Sequence, residues 1–142
     1  MAWPGWDTYT PPPHGGGETR RSKYQAVPHV VLANLLLIPE SDAPRPHGGL
    51  RFASKREAER FLVLRVEQER GAITELTLQR AYDLHVVRPD GVTVAIGRYL
   101  ADFTYQRSGQ TVVEDAKGMR TALYRWKQKH AEAEHGMVIH EV

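Results

Sequence analysis

The chain has 142 residues and a formal net charge of +2, with 19 Lys or Arg against 17 Asp or Glu. That length suits one soluble domain with a single sheet and its helices, and the small net charge does not by itself demand a polyanionic partner. Cysteine is absent, which excludes disulfides and thiolate metal sites, so a metal would have to be held by carboxylate, carbonyl, imidazole or water.

Residues 1–22 hold Pro4, Pro11, Pro12, Pro13 and Gly15-Gly16-Gly17. No periodicity survives such a stretch, and it reads as a flexible arm whose Trp3, Trp6 and Tyr9 could touch a partner. Residues 23–142 read as one domain with its core from residue 50 onward. Val30 to Ile38 is apolar apart from Asn34 and forms a strand or a short buried helix. It is too short to cross a bilayer. The N-terminus shows no basic start or apolar core of a signal peptide, so a cytosolic protein is expected. Glu40 to Gly49 is a loop by its Pro and Gly content.

Ser54 followed by Glu57 is a capping-box pattern that opens a helix. Ala58, Phe61, Leu62, Arg65 and Val66 share its apolar stripe, and Gly71 suits the residue just past its end. Ile73 to Val87 alternates and predicts a strand. Arg88-Pro89-Asp90-Gly91 is a turn. Val92 to Tyr105 is a second strand, Ser108-Gly109 the next turn, and Gln110 to Lys117 a third strand. Met119 to His135 is predicted helical, with Leu123, Trp126 and His130 along an inward stripe and Gly136 at its end. Met137 to Val142 is a last strand. The order is α-β-β-β-α-β, an α/β (α+β) fold with a mixed sheet flanked by helices.

The most informative residues are Asp115-Ala116-Lys117, with Asp102 upstream. Side chains alternate across a strand, so Asp115 and Lys117 share a face and Glu114 takes the other unless a bulge exchanges them. Pairing of the second and third strands can bring Asp102 beside Asp115. Two carboxylates so placed repel, and a divalent cation relieves the repulsion. Mg²⁺ suits oxygen ligands and keeps waters for a phosphate substrate. Lys117 can orient an attacking water and offset phosphate charge. Such tripeptides are common, and the plainer account is a surface Asp–Lys pair. An apolar Val112-Val113 lead-in and Gly118 directly after it favour a built site.

From Ala116 to His130 the sequence carries Lys and Arg but no acid. Arg120, Thr121, Tyr124, Arg125, Lys127 and Lys129 are the candidates for contact with a DNA backbone, and Lys55 and Arg56 could clamp the same strand. Gln79, on the first strand, and Glu114 are further site candidates. The seven histidines show no metal-binding spacing: His130 and His135 lie on different faces of a helix, and dispersed surface positions account for them. Gly15-Gly16-Gly17 lacks the Gly-Lys-Ser/Thr of a phosphate loop.

The blocks Leu50–Ala58, Glu75–Gln79, Tyr99–Phe103, Val113–Gly118 and Gly136–Ile139 together resemble the PD-(D/E)xK nuclease superfamily, and within it a small phage and prophage family. The resemblance covers residue 50 to Val142. It implies a restriction-endonuclease-like core and metal-dependent cleavage of DNA. It also implies a helix glutamate, a strand aspartate and an acidic-x-lysine, which here are Glu57, Asp102 and Asp115 with Lys117. Asp102, Asp115, Glu57 and the Ala116 carbonyl would be the metal ligands, for Mg²⁺ or Mn²⁺ in its place. Where the superfamily motif has Pro, this chain has Ala101.

The expectation is a Mg²⁺-dependent endonuclease that resolves Holliday junctions, acting in the host cytoplasm if phage-encoded. It would be a homodimer, since paired cuts need two sites, with Val30 to Ile38 offering the interface. The rivals are a restriction-like, nicking, repair or transposition-associated nuclease, a DNA-binding module without catalysis, and a carbohydrate- or protein-binding domain.

Overall fold

The computed structural model describes residues 26–116 and 119–142. The arm read over residues 1–22 therefore lies outside the described residues, as do Lys117 and Gly118. The chain divides into two compact units, one ending at Ala58 and one spanning Glu59–Val142.

The first unit carries three short antiparallel strands, β1 (His29–Val31), β2 (Leu37–Pro39) and β3 (Leu50–Phe52), in the order β2-β1-β3. The apolar run from Val30 to Ile38 is thus two strands and a turn. Leu35 adopts φ 65° there and its N–H donates to the Leu32 carbonyl. Val30 and Val31 are fully buried, which removes them as the dimer surface expected of this segment. A central strand flanked on both edges buries its β-branched residues rather than displaying them. Gly49 is required where it stands: a Cβ there would lie 2.6 Å from the Val31 carbonyl oxygen. Arg51 and Glu40 pair at 2.9 Å between β3 and a short 3-10 turn, Glu40–Asp42.

Helix α1 (Lys55–Glu69) starts as its capping box predicts. The Glu57 N–H donates to Ser54 Oγ at 3.2 Å, and Ser54 Oγ donates to Glu57 Oε1 at the same distance. Gly71 at φ 75° and the Ala72 N–H to Glu67 carbonyl bond close its end.

The second unit is built on a four-stranded sheet ordered β4-β5-β6-β7, from β4 (Thr74–Val87), β5 (Thr93–Arg107), β6 (Gln110–Asp115) and β7 (Ile139–Glu141). The first three pair antiparallel and β7 joins β6 in parallel. Ser108 and Gly109, at φ 52° and 76°, make the tight β5–β6 turn, the backbone hand that matches strand twist. Helix α2 (Ala122–His135) connects β6 to β7. The element order α1-β4-β5-β6-α2-β7 is the predicted one, and the fold is mixed α and β.

Two boundaries differ from expectation. Strand β6 ends at Asp115, and α2 begins at Ala122 rather than Met119 because Thr121 caps it, its side chain accepting from the Tyr124 N–H. The inward face of α2 also differs. Leu123 is 62% and Trp126 48% exposed. Ala131 is buried instead, and with Tyr124 it joins Leu84, Tyr99, Ala101, Val113 and Ile139 in the core. Placing the bulky Leu and Trp inward misjudged the helix by about one residue's rotation. Alanine permits the closer approach.

Candidate active site

Asp102 and Asp115 are buried, at 5% and 0% exposure. The Ala116 N–H donates to Asp102 Oδ2 at 2.9 Å. Asp102 therefore rests against the peptide that joins Asp115 to Ala116, which is the juxtaposition expected from strand pairing. Gln79 Nε2 donates to the other oxygen, Asp102 Oδ1, at 3.1 Å. Both oxygens of Asp102 are thus fixed, one by β4 and one by the end of β6.

Asp115 and Glu114 take opposite faces, and the β6 ladder is regular on both sides, so no bulge exchanges them. Asp115 Oδ2 accepts from Tyr99 Oη at 2.6 Å. Tyr124 is close by: burial first, then the Asp115 charge, pushes its phenol well above the tyrosine range. Tyr99 is raised likewise, by burial and by its bond to Asp115. Tyr124 was expected to face a DNA backbone, and it packs inward instead. Its ring is apolar enough to join the core, and its N–H belongs to the helix cap.

Glu114 is held from the other side. Arg60 of α1 donates through Nε to Oε2 at 2.8 Å and through Nη2 to Oε1 at 2.6 Å. Tyr105 Oη donates to Oε1 at 2.6 Å. Burial pushes the Glu114 carboxyl upward, but the Arg60 and Tyr105 bonds outweigh it and the net shift is downward. The Tyr105 phenol rises to about 12, through burial and then through Glu114. Glu114 is thus a structural anchor for α1.

Tyr99 and Tyr105 are six apart on one strand and should share a face. They bond to Asp115 and Glu114, which do not. The β4–β5 register is nonetheless the same on both sides of the stretch between them. The β4–β5 ladder runs Leu78↔Phe103 and then Arg80↔Ala101, passing over Gln79 and Asp102, and Gln79 sits at φ 52°. Phe103 pairs with Glu114, so Asp102, one residue earlier, takes the face of Asp115.

Glu57 lies in the first unit, engaged with Ser54. Among the DNA-contact candidates, Arg120 forms an ion pair with Glu141 and Thr121 serves as the helix cap. Arg125 and Lys129 are exposed on α2, Lys127 is half-buried there, and Lys55 and Arg56 are exposed on the first turn of α1. Among the described residues no set of three or more His, Asp or Glu groups gathers as a metal cluster. The two aspartates and the Ala116 carbonyl remain a fit for Mg²⁺, which takes one or two carboxylates and completes its shell with water and phosphate.

Three histidines are not dispersed as expected. His85 Nδ1 meets Glu134 Oε1 at 2.6 Å, and its N–H donates to Glu134 Oε2 at 2.9 Å. His130 Nε2 and His135 Nε2 reach the His85 and Asp83 carbonyls, each at 2.8 Å. They latch α2 to β4. Residues five apart straddle the helix face turned to a strand, so both reach it.

Residues 47–140 match the family described as "Protein of unknown function (DUF1064)". The chain belongs to the DUF1064 family. The matched segment includes Glu57, Asp102, Asp115 and Lys117. No curated protein and no solved structure matches the chain. Among its described residues, this DUF1064 protein has no helix long and apolar enough to cross a membrane.

Proposed function

We propose that this DUF1064 protein is a divalent-metal-dependent DNA endonuclease, and that branched DNA, the four-way junction above all, is its substrate. The observation that carries the reading is the Asp102 carboxylate seated on the Asp115–Ala116 peptide, with Lys117 next in sequence. The α-β-β-β-α-β order and the resemblance to PD-(D/E)xK nucleases support it. Asp102, Asp115 and the Ala116 carbonyl would hold the cation. A bound Mg²⁺ or Mn²⁺ would supply Lewis-acid activation of the phosphodiester.

The chain's own residues have separate tasks. The bonds from Gln79 and Ala116 fix Asp102. Lys117 orients the water whose oxygen bonds to phosphorus as the ester P–O bond breaks, and offsets the charge that develops. Arg125, Lys127 and Lys129 hold the strand through phosphates. A homodimer would deliver paired cuts.

The test is cleavage of a four-way junction and a matched duplex, with Mg²⁺ or EDTA, by wild-type and Asp115→Asn protein. Symmetric cutting of the junction alone, lost with EDTA and in the variant, is the expected result. Cutting of both substrates keeps a nuclease and discards junction resolution. Cutting of neither discards the enzyme.

A further inference from the structure

Leu123 and Trp126 stand three residues apart on α2, and both are exposed. Residues so spaced share a helix face. A single exposed apolar side chain is ordinary on a protein surface, but Trp126 is also held in place. Its ring centroid lies 5.4 Å from that of His130, one turn further on, with the planes inclined at 55°. His130 Nε2 is in turn bonded to the His85 carbonyl of β4 at 2.8 Å. The indole is therefore a plate tied to the sheet through its neighbour, with 48% of the residue open to solvent. A ring already held in this way loses little conformational entropy when a flat ligand stacks on it.

The same face is rimmed by positive charge. Residues 116–130 contain Lys and Arg but no acid. At 100° of turn per residue, Arg125 and Lys129 fall on one flank of Trp126 and Lys127 on the other. Arg125 and Lys129 are exposed, and Lys127 is half-buried. A second copy of the chain fits this face poorly, because a two-fold contact centred on Trp126 would set Lys127 and Lys129 against their own copies. An aromatic plate between cations matches a polymer that carries flat bases on a phosphate backbone. In a matched duplex the base faces are stacked on one another and the grooves offer only base edges. The fit is therefore to unpaired nucleotides.

We propose that Trp126 is a stacking platform for an unpaired base of single-stranded or branch-point DNA, with Arg125, Lys127 and Lys129 on the flanking phosphates. The inference rests on the DNA reading above and deepens it, by assigning the recognition of unpaired nucleotides to the outer face of α2.

The experiment is fluorescence anisotropy with the full chain in EDTA, where no cleavage intervenes. The labelled probes are an oligothymidine strand of about 20 nucleotides, long enough for one site, a matched duplex and a four-way junction. Wild type should bind the strand more tightly than the duplex. Trp126→Ala should weaken binding to the strand roughly 10-fold or more, the loss of one stacked base, and Trp126→Phe, which keeps a ring, should stay within about 3-fold of wild type. Trp126→Ala should keep the wild-type salt slope, whereas Lys129→Ala should lower it by about 0.7, one phosphate contact on a single strand. Equal affinity of wild type and Trp126→Ala for the strand, or a wild-type preference for the duplex, overturns the stacking role and leaves the nuclease reading standing. Absence of binding to all three probes overturns both. Self-association in sedimentation that Trp126→Ala abolishes gives the face to a second copy and overturns the inference. Should Trp126→Ala fail to fold, the emission of Trp126 in a chain carrying Trp3→Phe and Trp6→Phe decides: the thymidine strand must quench it, and unchanged emission overturns the inference.

Discussion

Replacing Arg60 with Met should destabilise the second unit markedly. The change removes two charge-assisted bonds to Glu114, at 2.8 and 2.6 Å. The Glu114 side chain is 5% exposed and that of Arg60 24%. Removing one partner of a buried pair costs about 3–5 kcal/mol, because the other charge is left uncompensated. Glu114 keeps its bond from Tyr105, and water reaches the Arg60 side, so the lower end of about 3 kcal/mol applies. For 142 residues the unfolding entropy is about 0.3 kcal/mol per degree, so the melting temperature should fall by roughly 10 °C. Thermal melts followed by circular dichroism, with Arg60→Met, Glu114→Gln and the double variant, form a double-mutant cycle. The double variant should be more stable than the sum of the singles predicts, because neither charge is then buried alone. The carboxyl of Glu114 is held below its ordinary value, so its contribution is complete above the unfolded carboxyl range. It is lost as pH falls through the lower, folded value. In Arg60→Met the burial effect prevails and the loss should begin at higher pH. A single variant melting within about 3 °C of wild type, or a coupling below about 0.5 kcal/mol, would refute the assignment.

Other outcomes are equally specific. Gly49→Ala should cost about 1–3 kcal/mol in urea denaturation, since the new methyl meets both the Val31 carbonyl and Val30 Cγ1, the latter at 2.8 Å. An unchanged midpoint would deny that close approach. Thr121→Ala should cost about 1 kcal/mol by removing the α2 cap, and equal stability would show the cap to be dispensable. Glu134 is held below the usual carboxyl range, first by the His85 N–H and then by its imidazole. Its contribution is therefore present above the unfolded carboxyl range and fades as pH falls through the folded value. Glu134→Gln should flatten that part of the stability–pH profile, and a profile parallel to wild type would place the latch elsewhere.

The element order could be read from the sequence because local signals fixed each piece. Ser54 with Glu57 opened α1, Ser108-Gly109 closed a hairpin, and Gly136 at φ 62° ended α2. Strand parity separated Glu114 from Asp115 correctly. What stayed hidden were contacts between residues distant in sequence. Nothing near Arg60 announces a partner 54 residues away. The inward face of α2 was misread because periodicity favoured Leu123 and Trp126 over a lone alanine, and close packing against a sheet rewards the small residue. Tyr99 and Gln79 could be placed on strands. Their hydrogen bonds to Asp115 and Asp102 join residues 16 and 23 apart, and no composition signal marks them.

The position of Gln79 opposite Asp102 connects the fold to the proposed chemistry. Phe103 pairs with Glu114, so Asp102, one residue earlier, shares the face of Asp115. The left-handed conformation at Gln79, φ 52° on a residue that is not glycine, costs on the order of 1–2 kcal/mol. The β4–β5 ladder passes over Gln79 and Asp102 there, and the Gln79 side chain binds Asp102 at 3.1 Å. The strained residue thus contributes a donor that holds the aspartate. Backbone strain offset by surrounding structure is characteristic of functional sites, and here it falls where β4, β5 and β6 meet at the two buried carboxylates. Glu114, one residue from Asp115, has its charge matched by Arg60.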